Sequence, residues 1–100
     1  MTIEDVRDAY NKHALFSKHS IDRMRERNYT TNDVDFVINT GKIIQSTFYP
    51  DNTSKYLIFG RTTLNRPTHV VIHIKGNAVI VTVYEPDTKT WDSTFTIRRW

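Results

Sequence analysis

The hydrophobic period of this chain changes at Gly41, and that change limits the folds open to it. Before Gly41 the apolar residues recur at three- and four-residue spacing; after it they alternate, or run together in short β-branched and aromatic segments. Helices first and then strands joined by tight turns define an α+β domain over residues 1–100. Its N-terminal helices are expected on one face of a curved, four- to five-stranded antiparallel sheet. The other face of such a sheet is left to water or to a ligand.

Three helices are predicted. Thr2 followed by Asp5 has the form of a capping box, and Ile3, Val6 and Tyr10 repeat at helical spacing, so the first helix runs from about Ile3 to Lys12. His13 to Phe16 then turns the chain. Ser17 caps a second helix reaching about Asn28, with Ile21 and Met24 as its apolar side. Thr30 with Asp33 caps a third, lined by Val34, Val37 and Ile38, which Gly41 is expected to end in a left-handed C-cap.

Strands are predicted at Lys42–Tyr49, Tyr56–Arg61, Thr68–Ile74, Ala78–Glu85 and Ser93–Arg98, separated by Pro50-Asp51-Asn52, Asn65-Arg66-Pro67 and Lys75-Gly76-Asn77. The period of two assigns Val70, Ile72 and Ile74 to the helix-facing side. In the next strand it assigns Val79, Val81 and Val83 there, so that His69, His73 and Tyr84 share the less buried face.

Several chemistries are poorly served by this composition. The chain has no cysteine, which removes a disulfide framework, a thiolate zinc site and a cysteine nucleophile. His69 and His73, four apart on a strand, stand about 13 Å from each other and cannot grip one ion. No metal or cofactor is therefore expected. The three glycines are isolated, there is no G-x-S-x-G, and nothing resembles a phosphate-cradling loop. The opening residues have neither a basic lead nor an apolar run, and no segment approaches the roughly 20 apolar residues of a membrane span, so a cytoplasmic protein is expected.

What remains is the distribution of cations. In a helix, His19, Arg23 and Arg27 stand at i, i+4 and i+8 and form one stripe. They either keep the helix soluble, bridged to Asp22 and Glu26, or meet phosphate. Metal-free cleavage of RNA needs only a base, an acid and cations, because the 2′-hydroxyl is the nucleophile. His19 or His69 can serve as base or acid, because histidine as a residue type suits proton transfer near neutral pH; Arg23 and Arg27 can stabilise the phosphate, and Tyr84 can position it or donate a proton. His73 and Trp91 are candidates for holding substrate, although Trp91 serves equally well as a core anchor. A non-catalytic module that binds nucleic acid or docks on a protein would use the same cationic helix.

The order Ser17-Lys18-His19 with Arg23-Met24 and Arg27, then Thr68-His69-Val70-Val71, then Val81-Thr82-Val83-Tyr84-Glu85-Pro86-Asp87 with Trp91, resembles the DUF4258 family over about residues 16–91. That family is similar in layout to the RelE-like toxins of the barnase-EndoU-colicin group. The resemblance implies a metal-independent endoribonuclease toxin, with RNA as substrate and a cognate antitoxin as protein partner. By motif position it points to His19, Arg23, Arg27, His69 and Tyr84.

Overall fold

Helix boundaries follow the capping residues closely in the computed structural model, which describes residues 1–99. Helix α1 spans Ile3–Lys12, and its box is closed in both directions: the Asp5 N–H donates to Thr2 Oγ1 and the Thr2 N–H to Asp5 Oδ2. Helix α2 is Lys18–Glu26, capped by Ser17 Oγ, and α3 is Thr31–Thr40, with Thr30 and Asp33 repeating the reciprocal box. Each such cap satisfies amides that the first turn leaves orphaned, a contribution of about 1 kcal/mol.

Five strands follow the order β1-β5-β4-β3-β2, where β1 is Ala14–Phe16, β2 Lys42–Phe48, β3 Ser54–Arg61, β4 Pro67–Lys75 and β5 Asn77–Tyr84. The helices pack on one face. Val6, Tyr10, Met24, Val34, Val37 and Ile38 meet Tyr56, Ile58, Val70, Ile72, Ile74, Ala78, Ile80 and Val83 in a single core. Burying each of the larger aliphatic side chains contributes about 1.5–3 kcal/mol, enough to hold the layers together without cross-links.

The α+β class and the one-sided helical layer hold, and the sheet is mixed rather than wholly antiparallel. The segment expected to turn, His13 to Phe16, supplies β1, which pairs parallel with β5 through Ala14↔Ala78 and Phe16↔Ile80. Three residues are too few to show a period, and their partner lies far along the chain. Beyond β1, side chains and backbone of the α2 region cover the rest of the β5 edge. Ser17 N–H donates to the Ile80 carbonyl at 3.2 Å, and Arg27 Nη1 to the Val83 carbonyl at 2.9 Å. Open strand edges need such cover.

Three local expectations are corrected. Residues Ser93–Arg98 do not form a strand, despite their alternation. Asp92 Oδ1 accepts from the amides of Thr94, Thr96 and Ile97, Phe95 takes φ 61°, and only an isolated Trp91↔Arg98 bridge remains. A bulge in β5 moves the pairing from Val71↔Thr82 to Ile72↔Ile80, so Ala78, Ile80 and Val83 face the helices instead of Val79, Val81 and Val83. Gly41 is not left-handed, having φ −85°. A Cβ there would lie 2.4 Å from the Phe59 carbonyl oxygen and 2.5 Å from that of Val37, so glycine lets α3 end directly against β3.

Candidate functional site

Cross-strand register arranges the helix-free face in three rows. The first is Lys42–Phe59–His69–Tyr84, the second Gln45–Leu57–Val71–Thr82, and the third Thr47–Lys55–His73–Val79. Directly opposed residues share a face, so the rows follow from pairing alone. The bulge at Val81 matters here, because it keeps Thr82 and Tyr84 on this face while Val83 turns into the core.

His69 is 0% exposed. Its ring lies between the aromatic rings of Phe59, Tyr84 and Trp91, with the Trp91 centroid 4.5 Å away and nearly perpendicular. The segment after β5 closes this cage: Trp91 is 2% exposed, and Phe95 packs on Phe59. Both ring nitrogens are occupied. Nε2 lies 2.7 Å from the Phe95 carbonyl oxygen and Nδ1 3.1 Å from the Tyr84 hydroxyl. A carbonyl only accepts, so Nε2 carries the proton, Nδ1 is the bare acceptor, and the Tyr84 O–H points at it. Desolvation lowers the His69 pKa, against a smaller opposing effect of the Phe95 carbonyl, and keeps the ring neutral.

Tyr84 joins this cage to a shallow groove of about 160 Å³ lined by Gln45, Thr47, Lys55, Leu57, Val71, Tyr84 and Arg98. The lining contains two cations, three neutral polar side chains and no carboxylate. Burial raises the Tyr84 pKa, with Arg98 pulling it down and Asp87 pushing it up by lesser amounts, so the phenol keeps its proton at neutral pH. Arg98 is itself held across the Trp91 ring, 5.4 Å from its centroid.

The expected site residues do not all converge. His69 and Tyr84 meet, as do His73 and Lys55 in the third row, where His73 Nε2 lies 3.0 Å from Thr53 Oγ1. His19 is exposed on α2, and neither nitrogen of His69 is bonded to that helix. Arg23 pairs with Glu26 at 2.9 Å, and Arg27 serves the β5 edge, so two of the three members of the cationic stripe have structural work. The buried side of α2 is Ser20 and Met24, whereas Ile21, expected on the apolar side, is exposed. Trp91, buried against His69, presents no ring for a base to stack on in this arrangement.

Lys55, Arg98, Gln45 and Thr47 were not singled out by sequence reasoning. Lys55 carried a usable signal, since it shares strand parity with Leu57 and Phe59. Arg98 stands out in the sequence only as one of the adjacent cations Arg98 and Arg99, and its placement at the groove depends on a loop rather than on a strand.

A helix-backed mixed sheet whose open face holds a cationic groove, with a tyrosine backed by a buried histidine, defines a small α+β domain suited to anionic ligands. Residues 16–85 match the family model described as Domain of unknown function (DUF4258), and the chain belongs to that family. No curated protein and no solved structure matches it. No helix among the described residues is long and apolar enough to cross a membrane.

Proposed function

We propose that this domain is a metal-independent endoribonuclease that cleaves RNA in the Tyr84 groove. The observation that carries the reading is the Tyr84–His69 pair, whose geometry sends the phenolic proton to Nδ1 and leaves the phenolic oxygen available to the groove. The attacking 2′-hydroxyl gives its proton to Tyr84 Oη as Tyr84 passes its own to His69 Nδ1. The 2′-oxygen bonds to phosphorus, the bond to the 5′-oxygen breaks, and that oxygen takes a proton from water. The products are a 2′,3′-cyclic phosphate and a 5′-hydroxyl. Lys55 and Arg98 stabilise the charge on the phosphoryl oxygens, which is where fixed cations contribute most.

In this reading His69 acts through Tyr84 instead of touching RNA. His19, Arg23 and Arg27 do not line the groove, and this reading assigns them no step in the cleavage. The likeness in layout between the DUF4258 family and RelE-like toxins is the ground for reading this domain as a toxin acting on cytoplasmic RNA and neutralised by a cognate antitoxin. The test is incubation of the purified protein with a mixed RNA substrate in EDTA. Wild type should produce cyclic-phosphate ends, and Tyr84→Phe should lose at least about a hundredfold in rate, the usual contribution of positioned proton transfer. Cleavage retained by Tyr84→Phe would refute the assignment. Binding of RNA with no cleavage by wild type would make the groove a binding module.

A further inference from the structure

A second part of the open face has the attributes of a nucleobase site. Tyr49 follows the end of β2, and its ring lies over the third row, 5.7 Å from the His73 ring and 5.8 Å from Lys55 Nζ. It is 37% exposed, and its ring offers surface to a further planar group. Lys55 belongs to both places, since it also lines the Tyr84 groove.

The hydrogen bonds around His73 settle its tautomer. Thr53 Oγ1 donates its only proton to Asp51 Oδ1 at 2.7 Å, so towards His73 it accepts, and Nε2 of the imidazole carries the proton. In the neutral ring Nδ1 is then a bare acceptor, and among the described residues it has no partner. Asp51, the carboxylate next to this corner, is occupied by the amide and hydroxyl of Thr53, which also hold its pKa below the usual carboxylate range.

We propose that Tyr49 and His73 form a subsite for an RNA base flanking the cleaved phosphodiester. The base stacks on Tyr49, an amino group of that base donates to His73 Nδ1, and Lys55 holds the intervening phosphate. Spacing fits a neighbouring nucleotide and not the one being cut: His69 and His73 are four residues apart on one strand, about 13 Å. Aromatic rings beside a cationic track are the usual means of holding single strands, because every base has a face to stack. This site rests on the reading of the groove as an RNA-cleaving centre, yet it is separable from it by experiment.

The measurement is fluorescence anisotropy with a short single-stranded RNA whose 2′-hydroxyls are methylated, so that binding is read without cleavage. Tyr49→Ala should weaken binding by about tenfold or more, and Tyr49→Trp should retain or tighten it. Placing one abasic nucleotide in turn along the strand should reveal a position at which wild type and Tyr49→Ala bind equally. Equal affinity of wild type and Tyr49→Ala for the intact strand overturns the subsite, even if the wild type cleaves unmodified RNA. Tyr49-dependent binding by a wild type that never cleaves supports the subsite and removes the cleavage reading. Absence of binding by folded wild type overturns both.

Discussion

The buried imidazole of His69 makes the fold sensitive to mild acid in a predictable direction. Folded, the ring is held neutral by its aromatic cage, and its pKa lies below the ordinary 6.5 because desolvation opposes the charged form. Unfolded, it titrates normally and binds a proton as the pH falls through that value. The unfolded state therefore holds more protons in this range, and stability decreases with falling pH. The contribution is complete above about pH 6.5 and is lost as the pH drops towards the folded value. Each pH unit below the ordinary value over which the ring stays neutral removes about 1.4 kcal/mol.

Urea unfolding followed by tryptophan fluorescence at about pH 7.5 and about pH 5 measures this, comparing wild type with His69→Gln. The carboxylates contribute alike to both proteins, so the difference between their pH dependences isolates the imidazole. Wild type should lose more stability between the two pH values than His69→Gln, at up to about 1.4 kcal/mol for each pH unit below the ordinary value. Parallel pH dependences, or an NMR titration placing the folded ring at its ordinary pKa, would refute the reasoning from the cage.

Other outcomes follow from the same contacts. Gly41→Ala should destabilise by about 1–3 kcal/mol or more, read as a lowered thermal midpoint, because both obstructing atoms are backbone oxygens; an unchanged midpoint would contradict the close approach. Trp91→Ala should cost about 3–5 kcal/mol in urea unfolding and open the His69 ring to solvent. In the EDTA assay, Arg98→Ala and Lys55→Ala should each slow RNA cleavage and flatten the salt dependence of binding. Salt slopes identical to wild type would remove these cations from the phosphate path. Thr2→Ala should lower stability by about 1 kcal/mol through loss of the α1 cap, with RNA binding unaffected.

Much of the scaffold was legible because local chemistry agrees with the final fold. Thr2–Asp5 and Thr30–Asp33 mark helix starts without any tertiary information, and Val70, Ile72 and Ile74 identify the buried face of β4 by alternation alone. The losses came where a distant element decides. Ala14–Phe16 is a strand only because β5 lies beside it. The extra residue at Val81 breaks a regular valine pattern in which nothing announces a bulge. Thr94–Arg98 alternates like a strand, but the Asp92 carboxylate captures the amides that a ladder would need.

At the site, strand parity placed His69, His73 and Tyr84 on one face correctly. It could not show that Trp91 and Phe95 return to seal His69, and so could not distinguish an accessible base from a buried partner of Tyr84. Sequence periodicity reports which way a strand side chain points, not what later arrives above it.

The parallel pairing of Ala14–Phe16 with Ala78–Ile80 also imposes an order on biosynthesis. As the chain leaves the ribosome, all three helices and the β2–β3 hairpin emerge before the strand that joins the first helical segment to the sheet. Until β5 is released, β1 has no neighbour, the β4 edge is unpaired, and the apolar sides of α1 and α2 lack the strand they pack against. Closing so long a loop is slow compared with local hairpin formation. A nascent chain stalled before Asn77 would be a target for chaperones and proteases, whereas one completed through Tyr84 could assemble every rung of the sheet.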